Sequence, residues 1–508
     1  MDYLIGIDCG TSATKTILID EQGKILAHAF RRYPLFEPDN GWAEQDAQDW
    51  KNAALETIKE VVEKACVPRE NVKGIGIAGQ MHGLVMLDVD GNVLRRPILW
   101  CDQRSHSQVD EMLALMPSEK WMDITANPPI AAWTAAKYLW IRQHEPKLLQ
   151  RCRHILLPKD YIRYVLTGEY ATDVSDASGM QMMNIRKRCW SGEVLSALGI
   201  SESMLGKLYE SQEITGYLRP EIAAYCGLTT QTAVVGGAAD NAGAAIGTGV
   251  VENGDAFTSI GTSALIYTQV DQYRPVPDGS LHLCCSAVPG TWFTMGGPQA
   301  ASLSFEWFKN NFCKGMIQEA QAAEIDVYHL IQDRVGSLAP GSGRLIYLPF
   351  LMGERTPHMN PEMRGAFVGL NVIHKEAHML RAVMEGITYS LADCNDILKE
   401  MGVAVRHMKV CGGGSRSPVW RQIMADLYDC EIITLEKEEG PALGAAILAG
   451  AGTGVFESVK EAGRRMAKCA DSIRPISDEV KIYKQYHAVY DSLCEHMKPD
   501  FTALYNIS

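Results

Sequence analysis

Apolar and polar positions change rhythm several times along this chain, and each rhythm predicts an element. Near the start, apolar runs at 3–7 and 16–19, then 24–29 after Gln22-Gly23, predict consecutive antiparallel strands joined by tight turns. From residue 50 the period lengthens. Trp50, Ala53, Ala54, Ile58, Val61, Val62 and Ala65 recur three or four residues apart, the spacing of one buried helix face, with Asp49 as candidate N-cap. The short run Gly74-Ile75-Gly76-Ile77-Ala78-Gly79 predicts a buried strand beside the first ones. A further hairpin over 84–94 turns at Asp90-Gly91. In the second half the pattern predicts a long helix over 375–400 and a strand over 408–411, which runs into Gly412-Gly413-Gly414-Ser415-Arg416-Ser417-Pro418. Ser417 suits a helix N-cap and Pro418 a first turn, so the glycines form a strand-to-helix corner where a ligand can approach the backbone. A helix of small residues follows Gly440-Pro441-Ala442-Leu443-Gly444, and residues beyond about 455 predict a closing helical segment.

This succession of strands and helices is an α/β chain, and at 508 residues two domains of roughly 200 to 250 residues are expected, with a cleft as the natural place for a ligand. An internal echo supports two similar halves. Ile7-Asp8-Cys9-Gly10-Thr11-Ser12 returns as Ser259-Ile260-Gly261-Thr262-Ser263, each between strand-like runs, and this places the boundary near 247. A Gly-Thr-Ser turn between strands offers backbone N–H groups and two hydroxyls at one hairpin tip, which suits phosphate oxygens. Gly-Thr-Ser is also a common turn composition, so it is the pairing of the two copies that carries weight.

Charge narrows the ligand class. Sixty-one acidic against 48 basic side chains give a net charge of −13, which argues against nucleic acid or an anionic membrane as partner, so an anionic ligand must be held by local groups. The 14 cysteines form no C-x-x-C pair and no cysteine/histidine ladder, and read as free thiols. The opening Met1-Asp2-Tyr3-Leu4-Ile5 has no basic region or export-length apolar stretch, and no later run reaches spanning length, so a cytoplasmic location is expected.

Two tempting motifs carry little. Gly74 to Gly79 satisfies G-x-G-x-x-G, but its glycines lie within the strand and no phosphate-binding turn follows before a helix. His374 and His378 lie four apart on the predicted helix and could share a metal, yet no third ligand is evident and surface or capping roles are commoner. No G-x-x-x-x-G-K-[ST] is present, so an ATP site would be of another class. Phosphoryl transfer needs a positioned polyphosphate, charge stabilisation and a base near the attacking hydroxyl. Asp8, at the end of the first strand beside a Gly-Thr-Ser tip, could hold a hydrated magnesium or simply cap a turn. Asp240, framed by Gly236-Gly237-Ala238-Ala239 and Asn241-Ala242-Gly243, is a carboxylate that bulky ligands can approach, or a helix-cap aspartate. His82 in Gln80-Met81-His82-Gly83 ends the central strand and could donate to a sugar oxygen, although a lone histidine there is more often structural.

The ordered set Gly6-Ile7-Asp8-Cys9-Gly10-Thr11-Ser12 with Lys15, Ala78-Gly79-Gln80-Met81-His82-Gly83, Leu157-Pro158-Lys159-Asp160-Tyr161, Ala239-Asp240-Asn241-Ala242-Gly243 and Ile260-Gly261-Thr262-Ser263 resembles the FGGY carbohydrate kinases. The stretches 348–358, 365–370 and 378–385 extend the resemblance, which covers about 3 to 450. It implies a pair of actin-like, ribonuclease-H-like domains, with 1–247 binding sugar and carrying the base and 248–508 binding ATP. The implied reaction is ATP-dependent phosphorylation of a ketopentose, D-xylulose at its 5-hydroxyl. Asp240 would be the base, and Met81, His82 and Asn241 would contact the sugar. Asp8 would organise Mg²⁺. Thr11, Ser12, Lys15, Gly261, Thr262, Gly412, Gly413 and Ser417 would hold ATP. Partners implied are D-xylulose or a related small sugar and ATP/ADP, with neither nucleic acid nor membrane; a homodimer is compatible with it. The chain departs from the family pattern at Cys9, Ala132 and Ala136, the latter two near the implied sugar site, which leaves gluconate, L-ribulose or another polyol as alternatives. The Gln-Met-His-Gly loop favours xylulose over glycerol. From another class, the same fold serves non-catalytic ATP-binding proteins, for which a base at Asp240 and a sugar loop at Met81-His82 have no use.

Overall fold

The computed structural model describes residues 1–508 apart from Arg355, Lys437, Glu438 and Ser508. Arg355, part of the stretch 348–358 that contributes to the family resemblance, thus lies outside the described residues. The chain forms two compact units: Met1–Glu252 with Gln269–Phe293 and Lys437–Lys468, and Asn253–Thr268 with Thr294–Glu436 and Cys469–Ser508. Where the sequence suggests a single cut near 247, the units interleave along the chain.

The first unit is built on a seven-stranded sheet. Its order is Ile214–Tyr217, Ala233–Val235, Val72–Gly79, Tyr3–Cys9, Ala13–Asp20 and Ile25–Arg32, with the short Ala238–Ala239 also paired to Val72–Gly79. The first three strands in sequence are the predicted antiparallel meander, and Gly23 makes its second turn at φ 81°. Val72–Gly79 lies parallel to Tyr3–Cys9, and Ala238–Ala239 parallel to Val72–Gly79. Parallel strands in one sheet bring their C-terminal ends to the same edge, where ligands of open α/β sheets bind. Helix Ala47–Ala65 buries Trp50, Ile58 and Val61 in a core with Ile5, Ile7, Leu18, Ile75 and Ile77. The helix starts two residues before Asp49: Asp46 is the N-cap, its carboxylate accepting from Gln48 N at 2.9 Å.

The glycines of 74–79 owe their identity to helix Gly440–Gly452, which lies directly on these strands. A Cβ on Gly76 would lie 1.9 Å from the Ala445 carbonyl oxygen, and one on Gly6 1.9 Å from that of Ala442. The same helix meets Asp240–Gly247 through glycines, where a Cβ on Gly444 would lie 1.9 Å from Gly243 O. This close approach assigns the helix to the first unit although it lies some two hundred residues further along the chain.

In the second unit Ala256–Ile260 pairs antiparallel with Ala264–Val270 and parallel with His407–Cys411, which continues to Glu431–Leu435 and Cys469–Ile473. The last of these strands lies inside the closing segment predicted as helical; pairing with Ile432, Ile433 and Thr434 holds it extended despite its polar sequence. Helices Glu376–Glu400, Pro418–Tyr428 and Ser477–Tyr505 are among the helices of this unit. His374 precedes the first of these helices and His378 caps it, its Nδ1 accepting from Lys375 N, which agrees with the capping role. Among the described residues no helix is long and apolar enough to cross a membrane.

Candidate active site

In the first unit the strand register gathers the predicted residues at one sheet edge. Asp8 stands opposite Lys15 across the first hairpin and beside Ala78 of the central strand. Gln80-Met81-His82 leaves that central strand, and Asp240 follows Ala238–Ala239 to open helix Asp240–Gly247. Asp240 accepts from the Asn241 backbone N–H at 2.7 Å, and the Asn241 amide reaches Met81 Sδ at 3.9 Å. Asp8, Met81, Asp240 and Asn241 therefore share one neighbourhood, as the sequence leads one to expect.

The electrostatics of this neighbourhood are unusual. Burial pushes the Asp240 carboxyl up to about 6, opposed by the Asn241 N–H. Burial, with the charge of Asp240, lifts Asp8 to about 7, and Lys15 only partly opposes this. Lys15 spends its ammonium on Glu439 at 2.5 Å. A pair of carboxylates held this way fits a cation, whose charge would favour both ionised forms.

His82 is held from several directions. It has a left-handed backbone, φ 64°, rare for a non-glycine residue and often found where structure over-determines a functional side chain. Its Nδ1 lies 3.0 Å from Gly179 O, its carbonyl accepts from Thr134 Oγ1 at 3.2 Å, and its ring stacks on Trp133 with centroids 4.8 Å apart. A side chain at Gly179 would collide with that imidazole, at 2.4 Å from Nδ1.

The Gly10-Thr11-Ser12 tip departs from the idealised cradle. Gly10 N–H is consumed by Ala13 O at 3.1 Å, and the Thr11 hydroxyl donates to Gln80 Oε1 at 3.3 Å while accepting from Trp100 Nε1 at 2.9 Å. Ser12 is exposed. The tip can therefore offer hydroxyls, but not its glycine N–H, without rearrangement.

Residues that pattern reasoning did not single out support the site from behind. Fully buried Lys159 sits 2.6 Å from Asp160, 2.8 Å from Asp173 and 3.4 Å from Asp176, and Arg163 pairs with Asp160 at 2.8 Å. Asp173 accepts from the Ser175 hydroxyl at 2.5 Å, and that oxygen accepts from Ala239 N at 3.1 Å, next to Asp240. Burial drives the Asp176 carboxyl well above its ordinary range, and Asp160, Asp173 and Asp240 push it further while Lys159 opposes. Lys159 and Asp160 belong to a motif noted for its resemblance, but nothing in local pattern announced that Asp173 and Asp176 would join them.

The second unit gathers the other set. Strand Ala256–Ile260 carries the Gly261-Thr262-Ser263 tip, and His407–Cys411, paired parallel to it, runs into the glycine corner at the same edge. Gly412 has φ 82°, and a Cβ there would lie 2.6 Å from Ile260 O, whereas at Gly413 the nearest atom is 4.0 Å away. Gly261, Thr262, Gly412 and Gly413 are thus neighbours. The Gly261 N–H goes to Ser263 O at 2.9 Å, and the Gly261 and Thr262 carbonyls accept from Ser302 and Leu303 at the start of helix Ser302–Phe312. Ser417 caps Pro418–Tyr428 as predicted, accepting from Trp420 N at 3.2 Å.

Two such units, with hydroxyl-bearing hairpin tips, a carboxylate pair in one and a glycine corner in the other, define an actin-like phosphotransferase architecture. Residues 3–247 match the FGGY family of carbohydrate kinases, N-terminal domain, and residues 256–453 its C-terminal domain, so the chain belongs to the FGGY family of carbohydrate kinases. It is a sugar kinase, and such kinases use ATP with a divalent metal. A xylulose kinase of Bacillus subtilis is 38% identical over 504 residues, 99% of each chain. A gluconokinase of the same organism is 31% identical over 504 residues, 99% of this chain and 97% of that one. Among solved structures, a ligand-bound xylulose kinase from Lactobacillus acidophilus superposes with a TM-score of 0.92 at 26% identity, covering 99% of this chain and 100% of the other.

Proposed function

We propose that this chain transfers the γ-phosphoryl group of ATP to the 5-hydroxyl of D-xylulose, with Asp240 as general base. The observation that carries the base assignment is a buried carboxylate, raised to about 6, at the head of a helix and adjoining Asn241, Met81 and Asp8. A base is most effective when its pKa lies near the working pH, and burial supplies that here. The xylulose kinase relatives support the sugar, together with the Met81-His82 loop.

In this reading Met81, His82 and Asn241 orient the sugar, and the Trp133 stack and Gly179 contact hold His82 in its aim. Asp240 accepts the proton of the hydroxyl as its oxygen bonds to the γ-phosphorus and the bond to the β-phosphate oxygen breaks, releasing ADP. Of the residues expected at the nucleotide, Thr11, Ser12 and Lys15 belong to the first unit and Gly261, Thr262, Gly412, Gly413 and Ser417 to the second. Asp8 would hold Mg²⁺, whose charge offsets that of the phosphates.

The test is ADP release with ATP, Mg²⁺ and a panel of D-xylulose, L-xylulose, L-ribulose, D-gluconate and glycerol, with Asp240→Ala as control. Preference for D-xylulose supports the reading. Preference for D-gluconate, the substrate class suggested by the gluconokinase relative, keeps the mechanism and replaces the sugar.

A further inference from the structure

The second unit holds another cluster of ligand-bearing side chains, on elements that carry none of the residues expected at the sugar or ATP. Helix Glu376–Glu400 presents Asp393 and Asp396, and helix Ser477–Tyr505 presents His487 and Asp491, four apart and so on one face. His487 Nε2 lies 2.6 Å from Asp393 Oδ1 and 3.5 Å from Asp491 Oδ1, while its Nδ1 faces Asp396 at 3.6 Å. One ligand atom each from Asp393, His487 and Asp491 falls within 4.8 Å of the others. On the far side, Asp393 Oδ2 faces His358 Nε2 at 3.2 Å. Both of those atoms are buried, and neither makes a hydrogen bond of good geometry, although the Asp393 side chain is 90% enclosed.

We propose that Asp393, His487 and Asp491 form a binding site for a divalent transition-metal cation, with His358 and Asp396 orienting Asp393 and His487 from outside. One imidazole and two carboxylates suit Zn²⁺ or Co²⁺ better than Mg²⁺, which prefers oxygen alone. Outer partners on the second oxygen of a ligating carboxylate and on the second nitrogen of a ligating histidine are the usual supports of such sites. Tyr389 stacks on the His487 ring at 5.7 Å and fixes its plane. Charge favours a cation as well: among the described residues no lysine or arginine pairs with Asp393 or Asp491. Asp491 is half exposed, which leaves the solvent side open for water ligands. In the chain without metal the 2.6 Å His487 Nε2–Asp393 Oδ1 hydrogen bond spans the place the metal would take. The metal would then tie the two helices together.

The experiment is calorimetric titration of the full chain with Zn²⁺ in excess Mg²⁺, repeated with Asp491→Asn and His487→Gln, and Co²⁺ absorption on all three proteins. The expected result is one Zn²⁺ per chain, weakened at least about tenfold in each variant. Co²⁺ should show d–d bands without thiolate charge transfer, and the melting temperature should rise with Zn²⁺ in the parent alone. Asp491→Asn alters an exposed side chain and keeps the test valid if His487→Gln fails to fold. Absence of binding overturns the proposal. So does binding that Asp491→Asn leaves unchanged, which would belong to exposed thiols such as Cys66, Cys189 and Cys469.

Discussion

The two Gly-Thr-Ser hairpins make a controlled comparison within one chain. Each follows a strand that is paired antiparallel on one side and parallel on the other, and each uses its glycine N–H inside its own turn. They differ in what stands behind the tip. The first is backed by carboxylates, Asp8 at its root and Asp240 at the head of helix Asp240–Gly247, with the buried Lys159 cluster behind them. The second is backed by glycines, with Gly412 against the Ile260 carbonyl and open space at Gly413. The same turn thus stands before buried charge in one unit, which suits the proton and metal chemistry proposed for Asp240 and Asp8, and before open backbone in the other, which suits the close approach proposed at Gly413. The turn itself specifies neither.

The comparison is tested hardest at the charge cluster. Lys159→Met leaves Asp160, Asp173 and Asp176 without their shared cation, and stability in chemical denaturation should fall by about 3–5 kcal/mol. An unchanged midpoint would show that these carboxylates are already neutral. Next, Asp240→Ala should lower kcat by at least about a hundredfold while nucleotide affinity, measured by calorimetry, stays near that of the parent. Near-normal turnover would remove Asp240 as base. In the second unit, Gly412→Ala forces a Cβ against Ile260 O at a positive φ and should cost about 1–3 kcal/mol of stability. It should also weaken nucleotide binding and leave sugar binding intact; equal loss of both would mean that the glycine corner is not specific to the nucleotide. The smallest effect is a pH dependence. Because Asp240 must be ionised to accept a proton and its carboxyl lies near 6, kcat/KM should be full above that value and fall as pH drops through it, by about tenfold between pH 7.5 and 5. A flat profile down to pH 5 would mean that a base of ordinary acidity acts instead.

Much of the site was legible because its residues sit at strand ends, where local pattern is informative. The first hairpin, the central strand, the Asp240 loop and the glycine corner all follow from runs of apolar residues broken by glycines. The helix cap was misplaced by three residues because Asp46 and Asp49 are equally good oxygen acceptors, and only the burial of Ala47 carries the helix back to Asp46. The Lys159 cluster was not legible as a cluster. Asp173 and Asp176 lie on a short strand and a four-residue helix, and their meeting with Lys159 depends on how helix Pro158–Thr167 packs. The ligands proposed around His487 were missed for the same reason, since Asp393 and the His487–Asp491 pair come from two helices far apart in the chain. His374 and His378, which do show a ligand-like spacing, turned out to serve a helix start.

By itself the sequence determined the alternation of elements, the two Gly-Thr-Ser tips, the loop Gln80-Met81-His82-Gly83, and through an ordered set of motifs the family, because these depend on residues near one another in the chain. Tertiary structure decided which charges share a desolvated space and therefore which carboxylates titrate near neutrality. It also decided that helix Gly440–Gly452 belongs to the first unit: its backbone rests on Gly6 and Gly76, a contact that no local pattern encodes, because it depends on the absence of side chains on both partners at once.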